Sequence, residues 1–551
     1  MFPYAAEHFT DEEKDVLRRY VTNLDQPVFA LVNLPEVVKG ALFARYSRSP
    51  KSLRRLFLDE FVGDLDISGD ATVDATVGLR RAVELYERVF LEYGDDSVAQ
   101  LGGVHLACEQ ASNLLTKILE RGRLMAYLEQ STRYVAYNQR TEGRYRYYRD
   151  PAILSSPLGA RYVGGMDRMF DTYGELLERL QAWLTVRHPR RPGDSDFVHR
   201  QAIRAKALDA LRGLLPAASL SNVGIYGTGQ SYEQLLLRMR AHPLPEARHY
   251  AAMMLAELRK VIPSFLQRVD RPDRGGAHSN YLVATRTATR DLVEELFPDL
   301  AAPDGPAPGG PSGGPSVRLL DFDPEGEEKV LVAICTPLLT RPEPEVAAHV
   351  RRLGAEERRA LLRAYVGERT NRRHRPGRAL ERTAYRFEVV TDYGAFRDLQ
   401  RHRMLTIEWQ PLGTSLGYDV PDLVEEAGLR DRYVSSLERS RALAEELAEP
   451  FPVEAAYAVA LAYRVRYTMQ MNAREAMHVI ELRSGPEGHP AYRWVAQEMH
   501  RLIAEDAGHR LLADAMQHVD HASRDLERLE GERRAEGRRR SVSAAGKPET
   551  L

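Results

Sequence analysis

Two stretches of the chain run through the same features in the same order, and a segment with nothing to bury joins them. That segment is residues 301–316, AAPDGPAPGGPSGGPS. Proline, glycine and serine dominate it, so it reads as a flexible linker. Each flanking half opens with a β-like run and continues through a helical stretch to two arginines one residue apart, Arg121 and Arg123 or Arg401 and Arg403. A long helix pair follows. Each half then closes on Leu-Arg, a short gap and His-Pro before another helix: Leu237, Arg238, His242 and Pro243 in the first, Leu482, Arg483, His489 and Pro490 in the second. The first half carries extra residues around 160–204. A diverged tandem duplication accounts for this order, so whatever architecture one half adopts the other must share. The expected domains are residues 1–300 and 317–525, separated by the linker and followed by a tail, 526–551. The tail is charged, then small and polar, and is expected to be disordered.

At 551 residues the chain exceeds one ordinary hydrophobic core. Hydrophobic content of 43% and charge of 28% are those of a globular protein. A net charge of −2 argues against a general nucleic-acid binder, which needs a basic excess to displace counterions. Cys108 and Cys335 are the only cysteines, too few for a disulfide framework or a cysteine zinc cluster. The beginning, MFPYAAEHFTDEEKD, is acidic and lacks an apolar core, and no run of about 18 apolar residues occurs. A cytoplasmic protein with no membrane span is expected.

Apolar residues recur at helical spacing in 80–93, 173–184, 250–262, 430–447 and 495–503. Short runs at 28–32 (VFALV), 329–334 (KVLVAI) and 385–390 (YRFEVV) suit strands. The expected class is α+β with helix dominant.

Three motifs carry chemistry. Arg121 begins RGRLMAYLEQSTRY, which ends in a dense polar cluster. Arg401 begins RHRMLTIEWQPLGT, whose first three side chains suit an anionic ligand, because arginine's planar fork binds phosphate bidentately. Met471 begins the helical run MNAREAMHVIELR, in which Arg474 and His478 lie four apart on one face. Its flanking apolar residues indicate partial burial, so these polar groups need a ligand or a network. A solvated helix face is the bland alternative.

Taken together, these segments resemble the split RHRxxSxNExSxRY motif and the NARELxHFxxLR helix of the flavin-dependent thymidylate synthases, which methylate dUMP to dTMP. The resemblance implies that Arg401, His402 and Arg403 grip flavin and nucleotide phosphate, and that Asn472, Arg474 and His478 contact flavin. It implies that Arg483 polarises the uracil ring, with Arg238 as its counterpart in the first half. Glu129, Ser131 and Arg133 match the part that cradles the nucleotide, with Glu129 also near the cofactor. Arg212, before Leu215 and Pro216, matches an arginine that reaches the nucleotide. Departures are complementary. The first half has Gly122 for the histidine and GTGQ in place of NARE. The second has Trp409, Pro411 and Gly413 where the first has Glu129, Ser131 and Arg133, and Ala456 where the first has Arg212. From this we expect two family-like repeats packed as a pseudo-dimer around one composite site, with Arg133 and Arg401 both needed for dUMP. FAD, NADPH and methylenetetrahydrofolate are the implied cofactors, and a homodimer would stand in for the family's tetramer. The cysteines lie in apolar surroundings, where a thiol is inert, which is neutral toward a flavin route.

Other signals are set aside. Asp64–Gly69 is similar to a calcium loop but has Ala75 where a bidentate glutamate is required. Glu475 and His478 have the spacing of a di-iron helix without matching partners, so no metal is expected. Gly227 and Gly229 lack a third glycine. The basic cluster Asn371–Arg378 reads as a solvated loop. Two alternatives stay open: a degenerate paralogue that binds flavin or nucleotide without making dTMP, and a helical interaction protein with no small-molecule site.

Overall fold

The computed structural model describes residues 4, 7–34, 39, 42–43, 46, 49–60, 103–190, 192, 194–298, 314–522, 533 and 537. The expected helix at 80–93, the turn at Asp64–Gly69, most of the linker and nearly all of the tail lie outside these residues.

The first half contains strands β1 (Val28–Leu31), β2 (Gly103–Ser112), β3 (Met125–Glu129) and β4 (Leu220–Thr228). Its helices include α1 (Asn113–Leu119), α2 (Gly159–Arg187), α3 (Asp196–Leu211), α4 (Gly229–Arg240) and α5 (Pro245–Arg259). In the second half β5 (Ser316–Phe322) and α6 (Gly326–Cys335) precede β6 (Ala384–Asp392), α7 (Tyr393–Leu399) and β7 (Thr406–Trp409). Then come α8 (Arg430–Ala448), β8 (Arg464–Asn472), α9 (Ala473–Arg483) and α10 (Pro490–Glu505). Each half forms one antiparallel sheet, in the orders β1-β2-β4-β3 and β5-β6-β8-β7. The same topology twice, in a helix-rich α+β protein, is the duplication seen in the sequence.

Local chemistry explains the repeated strand-to-helix joints. Four strands end on a residue that also caps the next helix: Ser112, Thr228, Asp392 and Asn472. Each side chain accepts a hydrogen bond from an amide three residues on, satisfying a donor the helix leaves open. On β6, Tyr385, Phe387 and Val389 alternate toward the core, as do Val465, Tyr467, Met469 and Met471 on β8.

Two expectations need correction. The KVLVAI run is helix α6, not a strand; the strand that opens the second half is β5. A short β-branched apolar run has no decisive period, and here Glu327 and Glu328 in the first turn favour the helix, with Val330, Leu331, Val332 and Ile334 buried. The run from Met471 is also not wholly helical, since Met471 and Asn472 finish β8. The periodic segments at 250–262, 430–447 and 495–503 are helical to within about five residues of their limits, and 173–184 lies inside the longer helix α2, which begins at Gly159.

The chain divides into two compact units. One comprises Met1–Gly174, Leu215–Pro306 and Glu438–Ala460; the other comprises Glu175–Leu214, Ala307–Leu437 and Leu461–Leu551. Each unit therefore takes one segment from the opposite half of the sequence, and two of the divisions fall inside α2 and α8. Among the described residues no helix is long and apolar enough to cross a membrane.

Candidate functional site

The second unit gathers its charged groups around Asp398. This residue sits on the last turn of α7, one turn before Arg401, and is buried. Arg401 donates to its Oδ1. Arg212, the C-cap of α3, donates from Nη1 to Oδ2 at 3.0 Å. Arg483, the last residue of α9, donates from Nη2 to the Asp398 carbonyl at 2.5 Å. Three arginines thus converge on one residue, and Arg212 comes from the other half of the sequence. The Arg212 and Asp398 side chains are 4% and 10% exposed, so this is a buried ion pair. Such a pair is costly to break from one side, because the remaining charge keeps its desolvation penalty.

A second chain of contacts leads away from Arg483. Its Nε donates to His402 Nε2 at 2.8 Å. An arginine N–H can only donate, so Nε2 presents its lone pair and Nδ1 carries the proton. That Nδ1 faces Glu475 Oε1 at 3.6 Å. The His478 ring stands edge-on to His402, with centroids 5.6 Å apart. Burial, reinforced by Arg483, keeps His402 well below the usual imidazole range. His478 is pushed down to about 4 by burial and then by Arg375, Arg372 and Arg483. Burial also raises Glu475 to about 7, against the opposing pull of Arg375, Arg474 and Arg403. His402, Glu475 and His478 have ligand atoms within 4.8 Å of one another. The third neighbour that Glu475 and His478 lack in sequence is therefore present, although the surrounding arginines oppose a cation.

Asn472 serves as the N-cap of α9, accepting from Glu475 N at 2.9 Å. Arg474 ion-pairs Glu381 at 3.1 Å and donates to the Pro376 carbonyl at 2.9 Å. Arg403 is exposed. The basic cluster is an exposed loop, as expected, anchored on its inner side. Buried Arg369 grips both carboxylate oxygens of Glu481 at 2.6 Å and donates to the carbonyls of Arg372 and His374. The exposed side chains of Arg372 and Arg375 are thereby carried on a fixed backbone beside His478.

In the first unit the corresponding residues are used differently. Glu129 is buried against Lys117 at 3.2 Å, and Lys117 also holds Glu120. The Ser131 hydroxyl accepts from the amide of Arg133 at 3.3 Å. Arg121 and Arg123 are exposed. Gly122 has a steric cause: a Cβ there would lie 2.5 Å from the Tyr127 hydroxyl, which donates to the Gly122 carbonyl. Arg238 is largely buried, and Tyr127 and Arg121 lie within its electrostatic reach. Counted from the helix caps, Arg238 falls one residue earlier than Arg483 (228 to 238 against 472 to 483), about 100° around the helix.

Of the expected site residues, the structure joins Arg212, Arg401, His402, His478 and Arg483 into one cluster, with Asn472 and Arg474 at the start of the adjoining helix. Glu129, Ser131, Arg133 and Arg238 belong to the other unit. Asp398 and Glu475, which organise the cluster, were not expected; the signal for Asp398 was an acid three residues before Arg401.

Comparison with known proteins agrees with the duplication. The family described as thymidylate synthase complementing protein matches residues 44–264 and again 318–507. A UPF0159 protein of Chlamydia muridarum is 37% identical over 529 residues, covering 96% of this chain and 98% of its own. A UPF0159 protein of Chlamydia pneumoniae is 38% identical over 535 residues, 96% and 98% of the two chains. One from Thermoplasma acidophilum is 31% identical over 537 residues, 92% and 99%. With two matched segments, one on each sheet, the chain belongs to the thymidylate synthase complementing protein family as a tandem two-repeat member.

Proposed function

We propose that this thymidylate synthase-like protein converts dUMP to dTMP, with methylenetetrahydrofolate as carbon donor and NADPH-reduced FAD. The observation that carries this reading is the meeting of Arg212 from one half of the sequence with Arg401 and Arg483 from the other, through Asp398. The donor set fits a dinucleotide flavin: the N-terminus of α9 and the exposed cations Arg372, Arg375 and Arg403 favour a diphosphate, with neutral imidazoles beside them. Flavin, when bound and reduced, supplies the hydride that brings the transferred carbon to the methyl level. The chain's residues bind and orient. Arg401, His402, Arg403, Asn472, Arg474 and His478 are the proposed cofactor contacts. Arg212 and Arg401 take the nucleotide phosphate, with Glu129, Ser131 and Arg133 as the further nucleotide residues the family motif assigns. Arg483, held from two sides by His402 and the Asp398 carbonyl, presents a fixed cation that favours the ionised pyrimidine ring. A homodimer is the proposed assembly.

One observation favours the alternative of ligand binding without methylation. The Asp398 carboxylate already occupies Arg212 and Arg401, so a nucleotide phosphate must displace an internal anion. The test is the visible spectrum of the purified protein with FAD, followed by dUMP titration and assay of dTMP. A retained flavin band that shifts with dUMP, with turnover, supports the enzyme. A retained band indifferent to dUMP supports the repurposed flavoprotein, and no retained flavin refutes both.

A further inference from the structure

One helix of the first unit, Ala277–Leu296, is anchored only at its root. It lies outside both segments that match the family. The root is held firmly. Arg259 grips both carboxylate oxygens of Asp270, at 2.9 and 2.6 Å, and Gly275 N donates to the Arg268 carbonyl at 2.9 Å. Ser279 Oγ donates to the Leu237 carbonyl at 3.4 Å, and Arg286 donates to the Ala241 carbonyl. Past Arg286, the polar side-chain contacts among the described residues stay within the helix, where Arg290 pairs with Asp291 and Glu294. Ser279 alone of its 20 residues is buried. Helices in proteins draw most of their stability from packing an apolar face, and this one packs almost none.

It nevertheless has such a face. Tyr281, Thr285, Ala288, Leu292 and Leu296 follow one another at three- and four-residue spacing, which makes one stripe along a helix. Tyr281, Leu292 and Leu296 are 61%, 53% and 60% exposed. A single exposed leucine needs no explanation, but a contiguous stripe marks a surface that something covers. The free part of the helix is also lopsided about the Arg290–Asp291 bond. Before it the stripe is small, with Thr285 and Ala288, and the charges are positive, from Arg286 and Arg290. After it the stripe is bulky, with Leu292 and Leu296, and the charges are negative, from Asp291, Glu294 and Glu295. Turned antiparallel about that point, two copies lay Leu292 and Leu296 of one over Ala288 and Thr285 of the other. The positive part of each then lies beside the negative part of its partner, and the helix dipoles oppose. A parallel pair would set like charges together. A two-fold contact needs a surface complementary to itself, and this helix has one.

We propose that two copies of this chain associate through the Ala277–Leu296 helix, which packs antiparallel on its counterpart along the stripe from Tyr281 to Leu296. This names a contact for the homodimer proposed above; it rests on that assembly and not on the flavin chemistry. The contact is one helix stripe, smaller than a standard stable interface, so the dimer should dissociate on dilution.

The experiment is sedimentation velocity of the full chain over a dilution series. Leu292→Asp and Leu296→Asp should each weaken self-association at least roughly tenfold, because each puts a charge into the centre of the stripe. Both side chains are exposed, so folding and the FAD spectrum should not change. Orientation is read by oxidative cross-linking. Thr285→Cys mixed with Leu296→Cys should give a disulfide-linked dimer, and Thr285→Cys alone should not. A wild-type chain that stays monomeric at concentrations on the order of 100 μM would overturn both the contact and the homodimer. A dimer indifferent to both aspartate substitutions would overturn the contact and leave the homodimer standing. Self-linking of Thr285→Cys would overturn the antiparallel arrangement. Loss of flavin binding or dTMP formation with the dimer intact would count against the proposed enzyme and not against this surface.

Discussion

Asp398→Asn isolates the contribution of the internal anion. The substitution preserves shape and removes one negative charge from a residue that Arg212, Arg401 and Arg483 all contact. Arg212 is 3% exposed and has no other hydrogen-bond acceptor among the described residues, so its charge would keep only Asp392, within electrostatic reach, as a counter-charge. Removing one partner of a buried pair costs on the order of 3–5 kcal/mol. An asparagine oxygen can still accept one hydrogen bond, which puts the expected loss toward the lower end, about 3 kcal/mol. The same change removes the carboxylate that a substrate phosphate must displace, so dUMP affinity should rise as stability falls. Urea unfolding followed by fluorescence, with and without saturating dUMP, reads both effects. The variant should unfold at lower urea than wild type and regain more of the difference when dUMP is added, because a ligand that binds only the folded state stabilises it. A variant within about 0.5 kcal/mol of wild type would show that the three arginines do not depend on this charge. Weaker dUMP binding in the variant would show that Asp398 assists the ligand and does not compete with it.

Glu246 gives a pH signature. Burial raises its carboxyl from 4.5 to about 7, so between these values the folded state binds the proton that the unfolded state has lost. Its contribution is therefore full below about pH 4.5 and is lost as pH rises through 7, on the order of 3 kcal/mol in all; Glu246→Gln should flatten the slope of unfolding free energy between pH 5 and 8, and an unchanged slope would refute the assignment. Arg369→Met breaks the buried pair with Glu481 and should cost about 3–5 kcal/mol, with limited proteolysis cutting first within Asn371–Arg378; resistance equal to wild type would mean that Arg369 does not anchor that loop. Gly122→His restores the family motif in the first half but drives a side chain into the Tyr127 hydroxyl, and should lower stability by about 1–3 kcal/mol in thermal unfolding unless combined with Tyr127→Ala.

Much of this was legible before any coordinates. Order of motifs in the two halves was enough for the duplication, because repeats must bury equivalent faces and so keep equivalent punctuation. Strand-to-helix joints at Ser112, Thr228, Asp392 and Asn472 were not read from the sequence, although their short polar side chains suit a helix cap. Arg401, His402, Arg212 and Arg483 were singled out by the family resemblance, and the structure brings them into one cluster. The KVLVAI run was misread because a short apolar stretch satisfies a strand and a buried helix equally, and only its packing distinguishes them. Asp398 was overlooked for a similar reason: an acid near an arginine in sequence is usually a surface pair, and its meaning here comes from Arg212, 186 positions away in the chain. Sequence alone determined the duplicated architecture and the chemical types at the site. Tertiary structure decided which of them meet, because segments 175–214 and 438–460 each join the unit built on the opposite half. It also decided that the Glu246 carboxylate is buried, where Ser112 and Tyr457 hold it. Burial and the loss of water make that placement consequential, and neither is a property of residue spacing.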